Sequence, residues 1–108
     1  MTSANELYER ITARLGQYPL VTRRKIFGVP AVCVNGNSFL AYHQGEMAFK
    51  LKGEDHARAL AVPGARLWDP SGAGRPMREW VHLPASQSDH WDEFTDLAYE
   101  YVATLPPK

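Results

Sequence analysis

The chain has 108 residues, 44% of them hydrophobic and 22% charged, which suits one domain with an ordinary apolar core. Its formal net charge is zero, and this argues against a protein whose main task is to coat a polyanion, because non-specific nucleic-acid affinity comes from neutralising phosphates. A single cysteine, Cys33, excludes an internal disulfide and fits a reducing cytoplasm. No apolar run nears the roughly 20 residues that span a bilayer, and MTSANELYER has neither the basic start nor the apolar stretch of a secretory signal.

In chain order, Ser3 is placed to cap a first helix, with Glu6 closing a capping box. Leu7, Tyr8, Ile11 and Leu15 form its apolar stripe, and Gly16 and Pro19 end it. A strand is predicted from about Lys25 to Val34, bent or at an edge where Gly28-Val29-Pro30 interrupts it. Asn35-Gly36 supplies a type I′ hairpin turn into a second strand, Ser38 to His43. After Gln44-Gly45, Glu46 to Lys52 alternates Met47, Phe49 and Leu51 against Ala48, Lys50 and Lys52. A short helix follows from Gly53 to about Val62, stopped by Pro63-Gly64. Arg66 to Asp69 and Arg78 to Leu83 read as two more strands. Ser86 then caps a last helix carrying Trp91, Phe94, Ala98, Tyr101 and Leu105 on one side. The order is α-β(3)-α-β(2)-α. It predicts an α+β two-layer sandwich over residues 1–108, one antiparallel sheet with helices on one face.

Two stretches, RRKIFGVPAVCVNGNSFLAYHQGEMAFKL and PGARLWDPSGAGRPMREWVHLP, followed by a final helix, resemble the TfoX N-terminal domain family, whose relatives include YjbR-like proteins. The resemblance covers about residues 20 to 104. Its telling features are the Arg-Lys-Ile-Phe-Gly entry, the Asn-Gly hairpin, Phe-Lys-Leu, and Gly-Arg-Pro-Met before Trp80. It implies the same α-β(3)-α-β(2)-α arrangement and a bacterial regulatory setting, without the second, C-terminal domain of the competence regulator that names the family. It implies no catalytic motif.

The candidate surface lies on the sheet face away from the helices. Strand alternation that buries Met77, Val81 and Leu83 turns Arg78, Trp80 and His82 outward, and burial of Leu67 turns Arg66 and Trp68 outward. Lys50 and Lys52 are candidates to join them. A solvated face does not ordinarily carry two tryptophans, so something is expected to cover it. Three coverings are open: the chain's own loop 70–76 or termini, a second copy in a homodimer, or a ligand or nucleic acid stacked on the indoles. A secondary basic cluster, Arg23, Arg24 and Lys25, would serve the nucleic-acid reading.

Ser71-Gly72-Ala73-Gly74-Arg75-Pro76 has glycines but leads into a strand, so it reads as a turn rather than a phosphate loop, with Arg75 placed to meet an anion. His43, His56, His82 and His90 lack ligand spacing, and no metal or cofactor is expected. Cys33 reads as a buried inert thiol; a nucleophilic role would need His43 or His82 beside it. Asp89, Asp92, Glu93, Asp96 and Glu100 lack a compensating base in the stretch from 89 to 100 and read as a solvated helix face. The sequence therefore predicts a cytoplasmic, non-enzymatic regulatory or interaction module. A nucleic-acid binder and a small-ligand or anion binder near Arg75 and His82 are the alternatives.

Overall fold

A computed structural model describes residues 3–108. Ser3 caps α1 (Ala4–Leu15), its Oγ accepting the Glu6 N–H at 3.1 Å. The predicted stripe is the buried side of that helix, with Tyr8, Ile11 and Leu15 almost wholly out of solvent.

The first predicted strand is two strands, β1 (Val21–Ile26) and β2 (Val29–Val34). The break at Gly28 is a two-residue hairpin. Ile26 pairs with Val29, and the residues between them, Phe27 and Gly28, take φ of 52° and 79°. Both are left-handed, as a type I′ turn requires. The sequence hides this turn because phenylalanine stands where asparagine is usual. Pro30 is tolerated because β2 pairs with β3 only from Ala31 onward. The other two predicted turns take the same form, Asn35-Gly36 (53°, 82°) and Gln44-Gly45 (55°, 77°). They join β2 to β3 (Asn37–His43) and β3 to β4 (Glu46–Lys50).

The crossover helix α2 (Gly53–Leu60) leads to β5 (Arg66–Trp68), and β6 (Met77–Leu83) returns beside it. A 3₁₀ segment, Ala85–His90, then enters α3 (Trp91–Ala103). All six strands form one antiparallel sheet in the order β1-β2-β3-β4-β6-β5. The architecture is thus the expected α+β sheet with helices packed on it, with a sixth strand.

Alternation decides which side chains face the helices. Val32 and Val34, Leu40, Met47 and Phe49, and Val81 and Leu83 meet Tyr8 and Ile11 of α1 and Trp91, Phe94 and Val102 of α3 in the main core. Full burial of each such side chain contributes about 1.5–3 kcal/mol. The acidic side of α3 is compensated by the other helices. Arg14, in the last turn of α1, reaches Asp92 at 3.0 Å and Asp96 at 2.8 Å, and Arg58 of α2 pairs with Glu93. The bases come from distant sequence, so the acidic run is not the uncompensated charge it looked. Half-exposed pairs of this kind contribute under about 1 kcal/mol each, but they fix how α1 and α2 lie against α3.

Candidate binding cleft on the open sheet face

Across the middle of the open face runs one cross-strand row: Ala31 opposite Ala41, Ala41 opposite Ala48, Ala48 opposite His82, and His82 opposite Arg66. Three alanines in succession leave a shallow trough. Trp68 and Trp80 lie against it with Ile26, Val29 and Met77, a second apolar cluster separate from the main core. Trp68 is 0% exposed and Trp80 5%. The indoles stand on the predicted face and are covered, as expected.

The chain itself covers them, and the covering segment is the β1–β2 hairpin rather than loop 70–76. Phe27 at the hairpin tip meets Trp68 edge-to-face, ring centroids 6.0 Å apart. Trp68 lies on β5, and β1 and β5 are opposite edges of the sheet. The sheet must curl strongly for its two edges to approach across the open face. Trp68 and Trp80 pack at 5.1 Å.

Met77 is a second correction. Leu67 pairs with Val81, but Trp68 pairs with Met77, so Arg78, Glu79 and Trp80 bulge out of register with β5. The bulge moves Met77 from the predicted inner face to the tryptophan side. Glu79 keeps the parity of Val81 and faces the helices, where its Oε2 accepts the Tyr101 hydroxyl at 2.9 Å. Arg78 is exposed, and its carbonyl oxygen is bonded to His56 Nε2 at 2.8 Å. Lys52 lies with its Nζ 6.0 Å from the Tyr101 ring centroid of α3 and does not join the tryptophan face.

At one end of the trough a polar group is folded in. The Trp68 indole N–H donates to His43 Nδ1 at 3.1 Å, which fixes the His43 tautomer with its proton on Nε2. His43 stacks on His82 at 6.1 Å. His82 is buried, and its Nε2 lies 3.6 Å from Glu46 Oε1, beyond hydrogen-bond length. Glu46 is taken up by Arg66 at 2.8 Å. Burial, and then the charge of Arg66, push the His82 pKa down to about 4 against the pull of Glu46. His82 is thus a neutral part of the packing at physiological pH and faces no open pocket, and Arg66 is engaged by Glu46.

The glycine loop is also spoken for. The Asp69 carboxylate accepts Gly72 N–H at 3.1 Å, Gly74 N–H at 2.9 Å and the Ser71 hydroxyl at 3.0 Å. Desolvation pushes the Asp69 pKa up, but these donors outweigh it and the net shift is downward. The amides that a phosphate would need are held by the protein's own carboxylate. Arg75 is exposed on this loop, and His82 is buried. Neither Arg75 nor His82 is among the residues that line the cleft described below.

Nor do Arg23, Arg24 and Lys25 form one patch. Arg23 grips Glu9 of α1 with both carboxylate oxygens at 3.0 Å. Arg24 pairs with Ala31 on the open face, whereas Lys25 pairs with Pro30 and shares the parity of Arg23. Cys33 pairs with Ser38, their Sγ and Oγ 3.1 Å apart, and not with His43 or His82.

One cleft does open on this face. It has a volume of about 420 Å³ and is lined by Ile26, Phe27, Asn37, Ser38, Lys50, Met77, Trp80 and Lys108. Of the residues singled out in the sequence, only Trp80 and Lys50 reach it. Phe27 forms a lip, 66% exposed in spite of its ring. The signal that could have found it was Phe-Gly flanked by alternating residues, the same x-Gly pattern as the two recognised turns.

The match to known proteins falls on this framework. A family model described as the TfoX N-terminal domain matches residues 13–104. The chain belongs to the TfoX N-terminal domain family. The match runs from the last turn of α1 to just past α3, so the TfoX N-terminal domain here includes all six strands, the curled open face and the cleft. The comparisons with curated proteins and with solved structures gave no match. Among the described residues, no helix is long and apolar enough to cross a membrane.

Proposed function

We propose that this TfoX N-terminal domain is a non-catalytic regulatory module of the cytoplasm that acts by binding, through the cleft between the β1–β2 hairpin and the open sheet face. The observation that carries this reading is Phe27. A phenylalanine at φ 52° is strained by about 1–2 kcal/mol, and its ring is 66% exposed. Asparagine or glycine would close the same turn without strain. The ring packs on Trp68 on one side and leaves the rest of its surface open at the cleft, where a ligand would meet it.

The cleft chemistry supports binding rather than turnover. Its polar side chains are Asn37, Ser38 and two lysines, and the Ser38 hydroxyl is bonded to Cys33 rather than to a histidine base. Backbone-amide NMR during a titration with a small-fragment set tests the reading. Binders are expected to shift Phe27, Ser38, Lys50 and Trp80 together, and Phe27→Ala, an exposed position, is expected to remove those shifts while the remaining spectrum stays folded. Shifts scattered over the helices, or unchanged binding by the variant, would count against it.

A further inference from the structure

We infer that this cleft takes a small anionic aromatic: one or two fused rings bearing a carboxylate or a phosphate. The inference rests on the binding reading above and adds the chemistry of the ligand. The side-chain charge that the lining offers is that of Lys50, with no aspartate or glutamate beside it; Lys108, the last residue, brings a backbone carboxylate together with its ammonium and adds no net charge. Lys50 is held only by a long ion pair. Its nearest acid, Glu79, stands 3.9 Å away, too far for a hydrogen bond, and Glu79 is already bonded to the Tyr101 hydroxyl. The Lys50 side chain is mostly buried beside its cross-strand partner Trp80 and lines the cleft, and its ammonium makes no hydrogen bond shorter than the Glu79 contact. A carboxylate or phosphate oxygen is the group that suits that ammonium best.

The remaining walls call for a ring. Phe27 offers aromatic surface, and Trp80, 5% exposed, adds only the small part of its indole that reaches the lining; both favour offset or edge-on contact with another planar group. Ile26 and Met77 complete an apolar wall, and methionine adapts to the outline of what binds. The volume of about 420 Å³ suits a small molecule at the lower end of ordinary ligand sites. Ser38, its hydroxyl bonded to Cys33, and Asn37 are the uncharged polar residues of the lining.

The test uses the folded chain and four probes followed by backbone-amide NMR: naphthoate, naphthyl phosphate, neutral naphthamide, and cyclohexanecarboxylate, which has the acid but no planar ring. Naphthoate and naphthyl phosphate are expected to shift Ser38, Lys50 and Trp80, and to bind at least about tenfold more tightly than the amide. Cyclohexanecarboxylate is expected to fall behind them as well. Lys50→Met is expected to abolish the preference for acid over amide, and Lys50→Arg to restore it. Equal binding of acid and amide in the cleft would overturn the inference and leave the binding reading standing. Equal binding of the ringed and ringless acids would overturn its aromatic half. Silence from all four probes would count against both.

Discussion

His82 shows at single-residue scale how a buried side chain becomes a constraint on stability. Its pKa falls from 6.5 to about 4 on folding. The unfolded chain therefore binds more protons between those values, and stability must drop as pH falls from about 6.5 toward 4. It is fully present above that window. The loss is of the order of 3 kcal/mol at its largest. Urea unfolding at pH 7.5 and pH 4.5 is expected to show it, and His82→Phe is expected to flatten the slope. A wild-type slope retained in the variant would assign the effect elsewhere. Trp68 carries a different cost. It is fully buried, and its indole N–H is bonded to His43, so Trp68→Ala should cost about 3–5 kcal/mol. That is a large share of the stability of a domain this small. Chemical denaturation measures it, and a loss below about 1 kcal/mol would mean that the tryptophan is not the packed residue described.

Among the elements, the hairpins set the sheet, and their glycines differ in what they can tolerate. Gly28 and Gly64 both have left-handed φ, 79° and 84°. A Cβ on Gly28 would meet nothing within 4 Å, whereas on Gly64 it would stand 2.9 Å from Pro84 Cγ. Gly28→Ala should cost about 1 kcal/mol, from the backbone alone. Gly64→Ala should cost more, about 2 kcal/mol or above, because the short link after α2 would have to move from the segment that follows β6. The order of the two urea midpoints checks this, and equal midpoints would show that the contact yields freely. The β6 bulge makes the same point about elements. Three residues out of register with β5 place Met77 beside Trp68, while Glu79 keeps the parity of Val81 and meets Tyr101. Simple alternation along Met77–Leu83 predicts Trp80, Val81, His82 and Leu83 correctly and fails at Met77, because the β5 partner does not follow the strand residue by residue.

The whole molecule distributes its charge more evenly than its sequence does. Arg14 and Arg58 neutralise the acids of α3, Arg23 is held by Glu9, and Arg66 by Glu46. With zero net formal charge and its basic residues divided between faces, the chain offers no continuous track for phosphates. Duplex or single-stranded DNA is therefore expected to leave tryptophan fluorescence unchanged at low salt. Quenching that weakens as salt rises would favour the nucleic-acid alternative. Burial of both indoles makes the expectation stricter, since stacking on a base would first require the hairpin to lift.

The sequence alone determined the helices, except the start of the last, which Ser86 does not cap and which begins at Trp91 after a 3₁₀ segment, together with the hairpin turns at Asn35-Gly36 and Gln44-Gly45 and the inner face of β4, and its motifs carried the resemblance to the family. These depend on interactions a few residues apart: caps, φ preferences and alternation. It could also place Trp68 and Trp80 on the face away from the helices, because parity within a strand is local. Only the tertiary structure decided what covers them. The curl that brings Phe27 from one edge of the sheet to Trp68 at the other is the sum of twist over six strands, and no short window contains it. The same holds for the cleft, where Phe27, Ser38, Lys50 and Trp80 meet from three separate hairpins. It holds too for the ion pairs that join α1 and α2 to α3, whose partners are up to 82 residues apart.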